Sequence, residues 1–288
     1  MNSNIIKKYQ MIEEKKFGKI FPKTQKSTLL TEKSHSLKSK YKNIRDLKLP
    51  NQSICFTVCV ATYARSNCKT PEFLERCIDS IIKQSYQNFI IVIVGDKYEP
   101  KNELNEIVEK VRKNTKNKII LFHNDCVERD YIKDKRKLWH IAGASSMNVG
   151  LNYCREKSYN YYCHLDDDDW WDNDHLKNFA IIYTNYLNTS FVNSLSSYPF
   201  SSGTLPLIKD NTIYENNVLP KNGTMCHSSI SFRTDRIPFN YFTTHDESKI
   251  YEPADGIMLD RIRKLNIQKG FSSICTNEKT CHHEIESA

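Results

Sequence analysis

The feature that most constrains the fold is a repeated alternation of buried-strand and amphipathic-helix patterns between residues 54 and 187. A nearly continuous apolar run over 54–60 is typical of a strand that is covered on both faces. Thr70 and Pro71 then open a stretch with apolar residues at helical spacing. Further strands are predicted at 89–94, 118–122 and 159–165, and further helices at 104–111, 144–156 and 175–187. This order predicts an α/β fold with a mostly parallel central sheet flanked by helices.

Beyond residue 188 the pattern changes to short β-rich stretches, followed by a helix over 255–264 and one late strand. Residues 1–50 show no sustained apolar period and predict a basic arm that is partly disordered or helical. We therefore divide the chain into this arm and one domain at 51–288. The domain has a first half at 51–187 and a smaller β-rich half at 188–288.

Four consecutive aspartates, at 166–169, follow the predicted strand 159–165. Adjacent carboxylates repel one another, so such a cluster is costly unless a cation compensates it. Hard oxygen ligands suit Mg²⁺ or Mn²⁺, and these ions often hold a diphosphate. The alternative is an acidic, solvated helix start. Ligands of parallel sheets bind beyond the carboxyl ends of the strands, so the turns after 60 and 94 are expected at the same rim.

The charge distribution and the cysteine spacing bear on nucleic-acid binding, on the redox state of the thiols and on the cellular compartment. The arm carries twelve lysines and one arginine against four acidic residues, a net charge of +9, whereas the whole chain carries +8. Because the domain is close to neutral, nucleic-acid binding is disfavoured. The ten cysteines include no CxxC pair, which predicts reduced thiols and a cytoplasmic protein. The arm is expected either to make peripheral membrane contact or to be a solvated tail or a packed helix.

Eight short blocks, taken together and in order, resemble family 2 glycosyltransferases. The resemblance covers roughly residues 54–265, and its specificity lies in the set of blocks and not in any single block. The blocks are 58–65 (VCVATYAR), 74–84 (LERCIDSIIKQ), 86–89 (YQNF), 93–96 (IVGD), 148–151 (NVGL), 165–171 (LDDDDWW), 228–233 (SSISFR) and 254–259 (ADGIML).

The resemblance implies a GT-A nucleotide-sugar-binding fold and a metal-dependent transfer with inversion. The expected donor is a nucleoside diphosphate sugar, with a UDP-sugar preferred, and the acceptor is a hydroxyl group on a glycan, lipid or protein. In this reading Asp166 and Asp168 hold Mn²⁺ or Mg²⁺ as the DxD motif, and Asp255 is the general base. The residues that would contact the nucleotide sugar are Thr62, Tyr63, Arg65, Asp96, Asn148 and Asp167.

Several alternatives stay open at this point. Asp96 could equally be an ordinary turn residue after a strand. Asp255 could equally be only the N-cap of a helix. His282 and His283 are either solvated or include a third metal ligand. A catalytically silent GT-A-like domain that binds a nucleotide sugar or glycan would carry the same blocks. A nucleotidyltransferase would also use paired aspartates with a metal, but it would not account for the blocks after residue 228.

Overall fold

The computed structural model describes residues 44–125, 128–198, 203–205, 214–215, 220 and 225–284. Residues 1–43 of the predicted arm lie outside the described residues. The described residues belong to one compact unit, Ser36–Ala288.

The centre of the fold is one sheet with the strand order β3-β2-β1-β4-β9-β6-β10-β5. Strands β3, β2, β1 and β4 are mutually parallel, as are β6 and β10, whereas β9 runs antiparallel to both of its neighbours. The short strands β7 and β8 pair with β6 and β10. The strands are β1 (Phe56–Thr62), β2 (Phe89–Asp96), β3 (Lys118–Asn124), β4 (Tyr161–His164), β5 (Trp170–Trp171), β6 (Thr189–Tyr198), β7 (Gly203–Leu205), β8 (Tyr214–Glu215), β9 (Ile230–Arg233) and β10 (Ser272–His282).

Helices flank this sheet, and the longer ones bury apolar side chains. They are α1 (Thr70–Ile82), α2 (Lys101–Arg112), α3 (Lys135–His140), α4 (Ala144–Glu156), α5 (His175–Asn185) and α6 (Ala254–Lys269). β2 is buried along its whole length and β1 along nearly all of it, which explains their almost continuous apolar sequences.

Glycine allows α4 to lie close to the sheet. A Cβ atom on Gly150 would come within 2.9 Å of the Cβ of Cys59 on β1, a distance that real side chains do not adopt. At the end of β2, a Cβ atom on Gly95 would meet the side chain of Leu104 at 2.6 Å. A larger residue at Gly95 would have to displace the side chain of Leu104, and Asp96 is the acidic residue of that turn.

The predicted α/β fold is confirmed, and most predicted elements exist with ends shifted by a few residues. The helix at Ala144–Glu156 has the predicted bounds. The sequence reading missed α3 and the two-residue strand β5. It also placed 44–50 in the arm, whereas Ile44 and Leu47 are buried and Lys48 exchanges hydrogen bonds with Asn185 on α5.

Two further findings concern the described residues only. Their nine cysteines are all free thiols. None of their helices has the length and apolar character needed to cross a membrane.

Candidate active site

The carboxyl ends of the parallel strands bring most of the predicted site residues to one rim. Thr62 ends β1, Asp96 ends β2, and the aspartates at 166–169 follow β4. The register of the sheet places Thr62 opposite Gly95, and Asp96 opposite Asn124 of β3. The rim therefore forms because the topology is parallel, as the sequence pattern predicts.

Arg65 and Thr62 hold Asp167. The guanidinium of Arg65 donates to both carboxylate oxygens of Asp167, at 2.8 and 2.7 Å, and the Thr62 hydroxyl donates to Oδ2 at 2.5 Å. The ring of Tyr63 lies 4.6 Å below the guanidinium carbon. Such a bidentate ion pair is short and geometrically specific, so it sets the conformation of the aspartate loop.

Asp166 is held by a histidine and a serine. His164 Nε2 donates to Oδ1 at 2.8 Å, and the Ser228 hydroxyl donates to Oδ2 at 3.2 Å. Desolvation acts to raise the pKa of Asp166, but the hydrogen bond from His164 and the charges of nearby histidines hold this pKa well below its usual range. With its side chain 42% exposed, Asp166 presents an ionised carboxylate to the rim.

Asp168 is the carboxylate of the loop whose charge is least compensated. Its side chain is 15% exposed, and Arg65, already bound to Asp167, reaches its Oδ2 at 3.1 Å. Burial, followed by the charges of Asp166, Asp169 and Asp167, raises the pKa of Asp168 to about 7. A divalent cation would relieve this repulsion, so the oxygen donors of Asp166 and Asp168 fit the expected Mn²⁺ or Mg²⁺.

Asp255 stands in the first turn of α6, after Pro253. Desolvation, with a contribution from the charge of Asp166, raises its pKa, while the backbone N–H of Gly256 acts in the opposite direction. The charges of Asp166 and Asp255 thus act on each other, although 89 residues separate them in the sequence. The structure thus brings the predicted base and the predicted metal ligands to the same region.

Asn148 and Asp96 have local structural contacts. The side-chain amide of Asn148 donates to the carbonyl oxygen of Tyr241 at 2.9 Å, and the N–H of Tyr241 donates back to Asn148 Oδ1 at 2.8 Å. The nearby Asn124 donates to the hydroxyls of Ser145 and Ser146 at the start of α4. Asp96 is buried at the strand end beside Asn124. The nucleotide contacts of Asn148 and Asp96 remain predictions.

Histidine residues make contacts that the sequence reading left open or missed. His283 Nδ1 donates to Asp169 at 2.9 Å, whereas His282 stacks on Trp170 and donates to Asp172 at 2.9 Å. His227 lies between His164 and Tyr241, with its ring 4.5 Å from that of His164 and its Nε2 2.9 Å from the Tyr241 hydroxyl. His164 directly precedes the aspartate motif, which was the only sequence signal for this group.

Arg76 of α1 is the other residue that the sequence reading missed. It donates to the carbonyl oxygen of Asp168 at 2.5 Å and to Glu284 at 2.8 Å, and it lies 4.2 Å over the ring of Trp170. Trp171, by contrast, is a core residue whose Nε1 donates to the carbonyl oxygen of Ser228. Arg76 therefore positions the backbone of the aspartate loop.

Comparisons with known proteins identify the family of the chain. Residues 57–233 match the family described as Glycosyl transferase family 2. The chain is 42% identical over 240 residues to an uncharacterized glycosyltransferase of Acanthamoeba polyphaga mimivirus, a match that covers 82% of this chain and 96% of that protein.

Two solved structures share the fold. TarS of S. aureus in complex with UDP has a TM-score of 0.56 at 14% identity, covering 80% of this chain and 60% of that one. The mannosyltransferase PcManGT from Pyrobaculum calidifontis, in complex with GDP-Man and Mn²⁺, has a TM-score of 0.52 at 12% identity, covering 84% and 60%. The chain thus spans about 60% of the length of these two proteins. The similarity confirms the GT-A fold.

Proposed function

Because the chain belongs to glycosyl transferase family 2, we propose that this glycosyltransferase is metal-dependent and inverting, and that it transfers a sugar from a UDP-sugar to a hydroxyl group of a glycan, lipid or protein. One observation carries the proposal. Four carboxylates crowd the loop after β4, and Asp168 among them lacks a full counter-charge. Carboxylate oxygens at this rim can hold a divalent cation that also binds a diphosphate.

In this proposal Asp166 and Asp168 hold the cation. A divalent ion supplies charge neutralisation for the diphosphate leaving group. Asp167 accepts hydrogen bonds from Arg65 and Thr62, and thereby keeps its neighbours on either side in place. Asp96, Tyr63 and Asn148 are assigned to the nucleotide side of the site.

Asp255 is the proposed general base. The hydroxyl that attacks the sugar must lose a proton, and a carboxylate within hydrogen-bond reach can accept it. Desolvation raises the pKa of Asp255, which makes its ionised form a better proton acceptor. The backbone N–H of Gly256 acts against that shift, and the positive end of the α6 dipole favours the ionised carboxylate.

The donor assignment is supported by TarS, which was solved in complexes with UDP and with UDP-GlcNAc. PcManGT was solved with a guanosine donor, so the base preference needs a direct test. The experiment is a screen for nucleoside diphosphate release from UDP-GlcNAc, UDP-glucose and GDP-mannose, with Mn²⁺, Mg²⁺ or excess chelator, on the wild type and on Asp168→Asn.

We expect Mn²⁺-dependent release from a UDP-sugar that chelator and Asp168→Asn both abolish. Activity that survives both treatments would refute the metal assignment. Donor binding without turnover towards water or any acceptor would favour the catalytically silent alternative.

A further inference from the structure

A second group of ligand-type side chains lies beside the aspartate loop and takes no part in the reaction described above. It consists of the carboxylate of Asp169, the thiol of Cys226 and the imidazole of His283. One ligand atom of each residue lies within 4.8 Å of the other two. We propose that this cluster, the Asp169–Cys226–His283 cluster, binds a zinc-class divalent transition ion.

Burial separates this cluster from the oxygen site at the rim. The side chain of Asp169 is fully buried, whereas those of Asp166 and Asp168 are partly exposed. Cys226 is buried as well, and the His283 side chain is 26% exposed. A buried carboxylate needs a positive partner, which is His283 in this structure and would be the ion once it is bound.

The distances suit a tetrahedral ion. Zinc binds sulfur, nitrogen and oxygen at about 2.0 to 2.3 Å, which holds tetrahedral ligand atoms roughly 3.3 to 3.7 Å apart. Cys226 Sγ already lies 3.8 Å from Asp169 Oδ2. His283 Nδ1 lies 2.9 Å from Asp169 Oδ1 and 3.2 Å from Oδ2, so a small outward shift of the imidazole would accommodate the ion.

The donor atoms select the class of metal. A thiolate together with an imidazole favours zinc, or cobalt as its substitute, over Mg²⁺ or Mn²⁺, which prefer oxygen ligands. Three protein ligands leave one position of a tetrahedral ion for water. The cluster therefore differs in chemistry from the all-oxygen pair Asp166 and Asp168.

Three distant segments would be joined by such an ion. Asp169 belongs to the aspartate loop, Cys226 precedes the short 3-10 turn His227–Ser229, and His283 follows β10. The N–H of Glu284 also donates to Asp169 Oδ1 at 3.0 Å. The ion would thus fasten the end of β10 to the loop that carries Asp166 and Asp168, and it would limit the movement of that loop.

Cobalt spectroscopy of the full-length protein tests the proposal. Co²⁺ is added to reduced, metal-free protein, and the absorption of a thiolate-to-cobalt charge-transfer band and of tetrahedral d–d bands is recorded. Zn²⁺ is then added as a competitor. We expect one tight site per chain with both sets of bands, displaced by zinc.

Matched variants identify the ligands. Cys226→Ser should remove the charge-transfer band, and both Cys226→Ser and His283→Gln should weaken zinc binding by about 10- to 100-fold or more. His282→Gln and Cys68→Ser are the controls, because His282 contacts Asp172 instead and Cys68 is an exposed thiol elsewhere. Both controls should retain the bands and the zinc affinity.

Two outcomes would overturn the proposal: absence of the charge-transfer band in the wild type at saturating cobalt, or its persistence in Cys226→Ser. Either would leave Asp169 and His283 as a simple buried ion pair. Asp168→Asn should keep the cobalt bands. If the wild-type protein showed these bands but no manganese-dependent donor hydrolysis in the screen above, the proposed function would fail and this site would stand.

Discussion

The four adjacent aspartates have four different environments, although their sequence is uniform. Asp167 is bound by Arg65, Asp166 by His164 and Asp169 by His283, while Asp168 shares Arg65 with its neighbour. Asp166, Asp167 and Asp169 thus each have a cationic or hydrogen-bonding partner of their own, whereas Asp168 has none that it does not share. The loop retains Asp168 at a cost in stability, which is typical of a functional site.

The first prediction concerns this cost. Since the folded state raises the pKa of Asp168 to about 7, its ionisation disfavours folding as the pH rises from about 4 through 7. Asp168→Asn should therefore stabilise the metal-free protein at pH 8, by on the order of 1 kcal/mol or more, and should have little effect near pH 4. Urea unfolding in chelator at the two pH values measures this.

Asp174 offers a control of opposite sign. A hydrogen bond from Ser85 lowers the pKa of this exposed carboxylate, so Asp174→Asn should lose a little stability at pH 8. If Asp168→Asn were also destabilising at pH 8, the charge of Asp168 would be compensated within the protein, and the argument for a cation there would fail.

The second prediction concerns the base. Asp255→Asn should lower kcat by about 100- to 10,000-fold, because the amide cannot accept the proton of the attacking hydroxyl. KM for the donor should change little, as expected for an interaction made in the transition state. Asp260→Asn is the matched control on the same helix, where Asp260 lies 3.8 Å from Arg263. A severe loss in Asp260→Asn with a mild one in Asp255→Asn would reassign the base.

At the scale of single residues, the sequence predicted which carboxylates lie at the rim, but it did not predict which side chains form hydrogen bonds or ion pairs with the loop. The run of aspartates and the order of the motifs singled out Asp166, Asp168 and Asp255, whose roles stay predictions. The contacts of Arg76 with Asp168 and Glu284 join residues that are 92 and 208 positions apart, and no local pattern encodes such pairs. They depend on the way α1 and the end of β10 pack against the loop.

At the scale of elements, β10 connects the second half of the chain to the aspartate loop. It pairs in parallel with β6 and antiparallel with β5, which directly follows the loop. Its residue Thr280 is 2.8 Å from His175 Nδ1, and the ring of His175 stacks on Trp171 at 4.2 Å. His175 is thus enclosed between α5, β5 and β10.

The third prediction follows from this enclosure. Desolvation lowers the pKa of His175 to about 3, so the unfolded chain takes up a proton below about pH 6.5 that the folded protein does not. This histidine therefore reduces stability as the pH falls from about 6.5 towards 3. His175→Gln should flatten the decline in unfolding free energy between pH 6.5 and 4, as followed by urea unfolding. Parallel curves for the variant and the wild type would show that His175 charges within the folded state.

The strand and helix patterns predicted most elements because buried strands and amphipathic helices leave strong periodic signals. They missed β5 because a two-residue strand leaves no period. They missed α3 because its six residues, KRKLWH, include three basic ones and no apolar stripe. Its N-cap, Asp134, accepts from the N–H groups of Arg136 and Lys137, which was a readable local signal.

At the scale of the whole molecule, charge is distributed unevenly along the chain. Eleven of the twelve lysines in residues 1–50 lie within 1–43, whereas Ile44 and Leu47 already pack in the core of the domain. Deleting residues 1–43 therefore removes most lysines of the arm and keeps Ile44 and Leu47. A cut at residue 48 would remove buried side chains and the contact between Lys48 and Asn185.

The last prediction tests the arm by this cut. Each lysine near an anionic membrane contributes about 1 kcal/mol, so residues 1–43 should support salt-sensitive binding to vesicles that contain phosphatidylserine. Deleting 1–43 should abolish this binding and leave manganese-dependent donor hydrolysis intact. A full-length variant with Lys33, Lys38, Lys40 and Lys42 changed to Gln should bind more weakly, which separates the effect of charge from the effect of chain length.

Equal binding of all three proteins to anionic vesicles would exclude a membrane role for the arm. Aggregation of the 1–43 deletion would instead show that the arm is needed for folding, because Ile44 and Leu47 remain in place to complete the core.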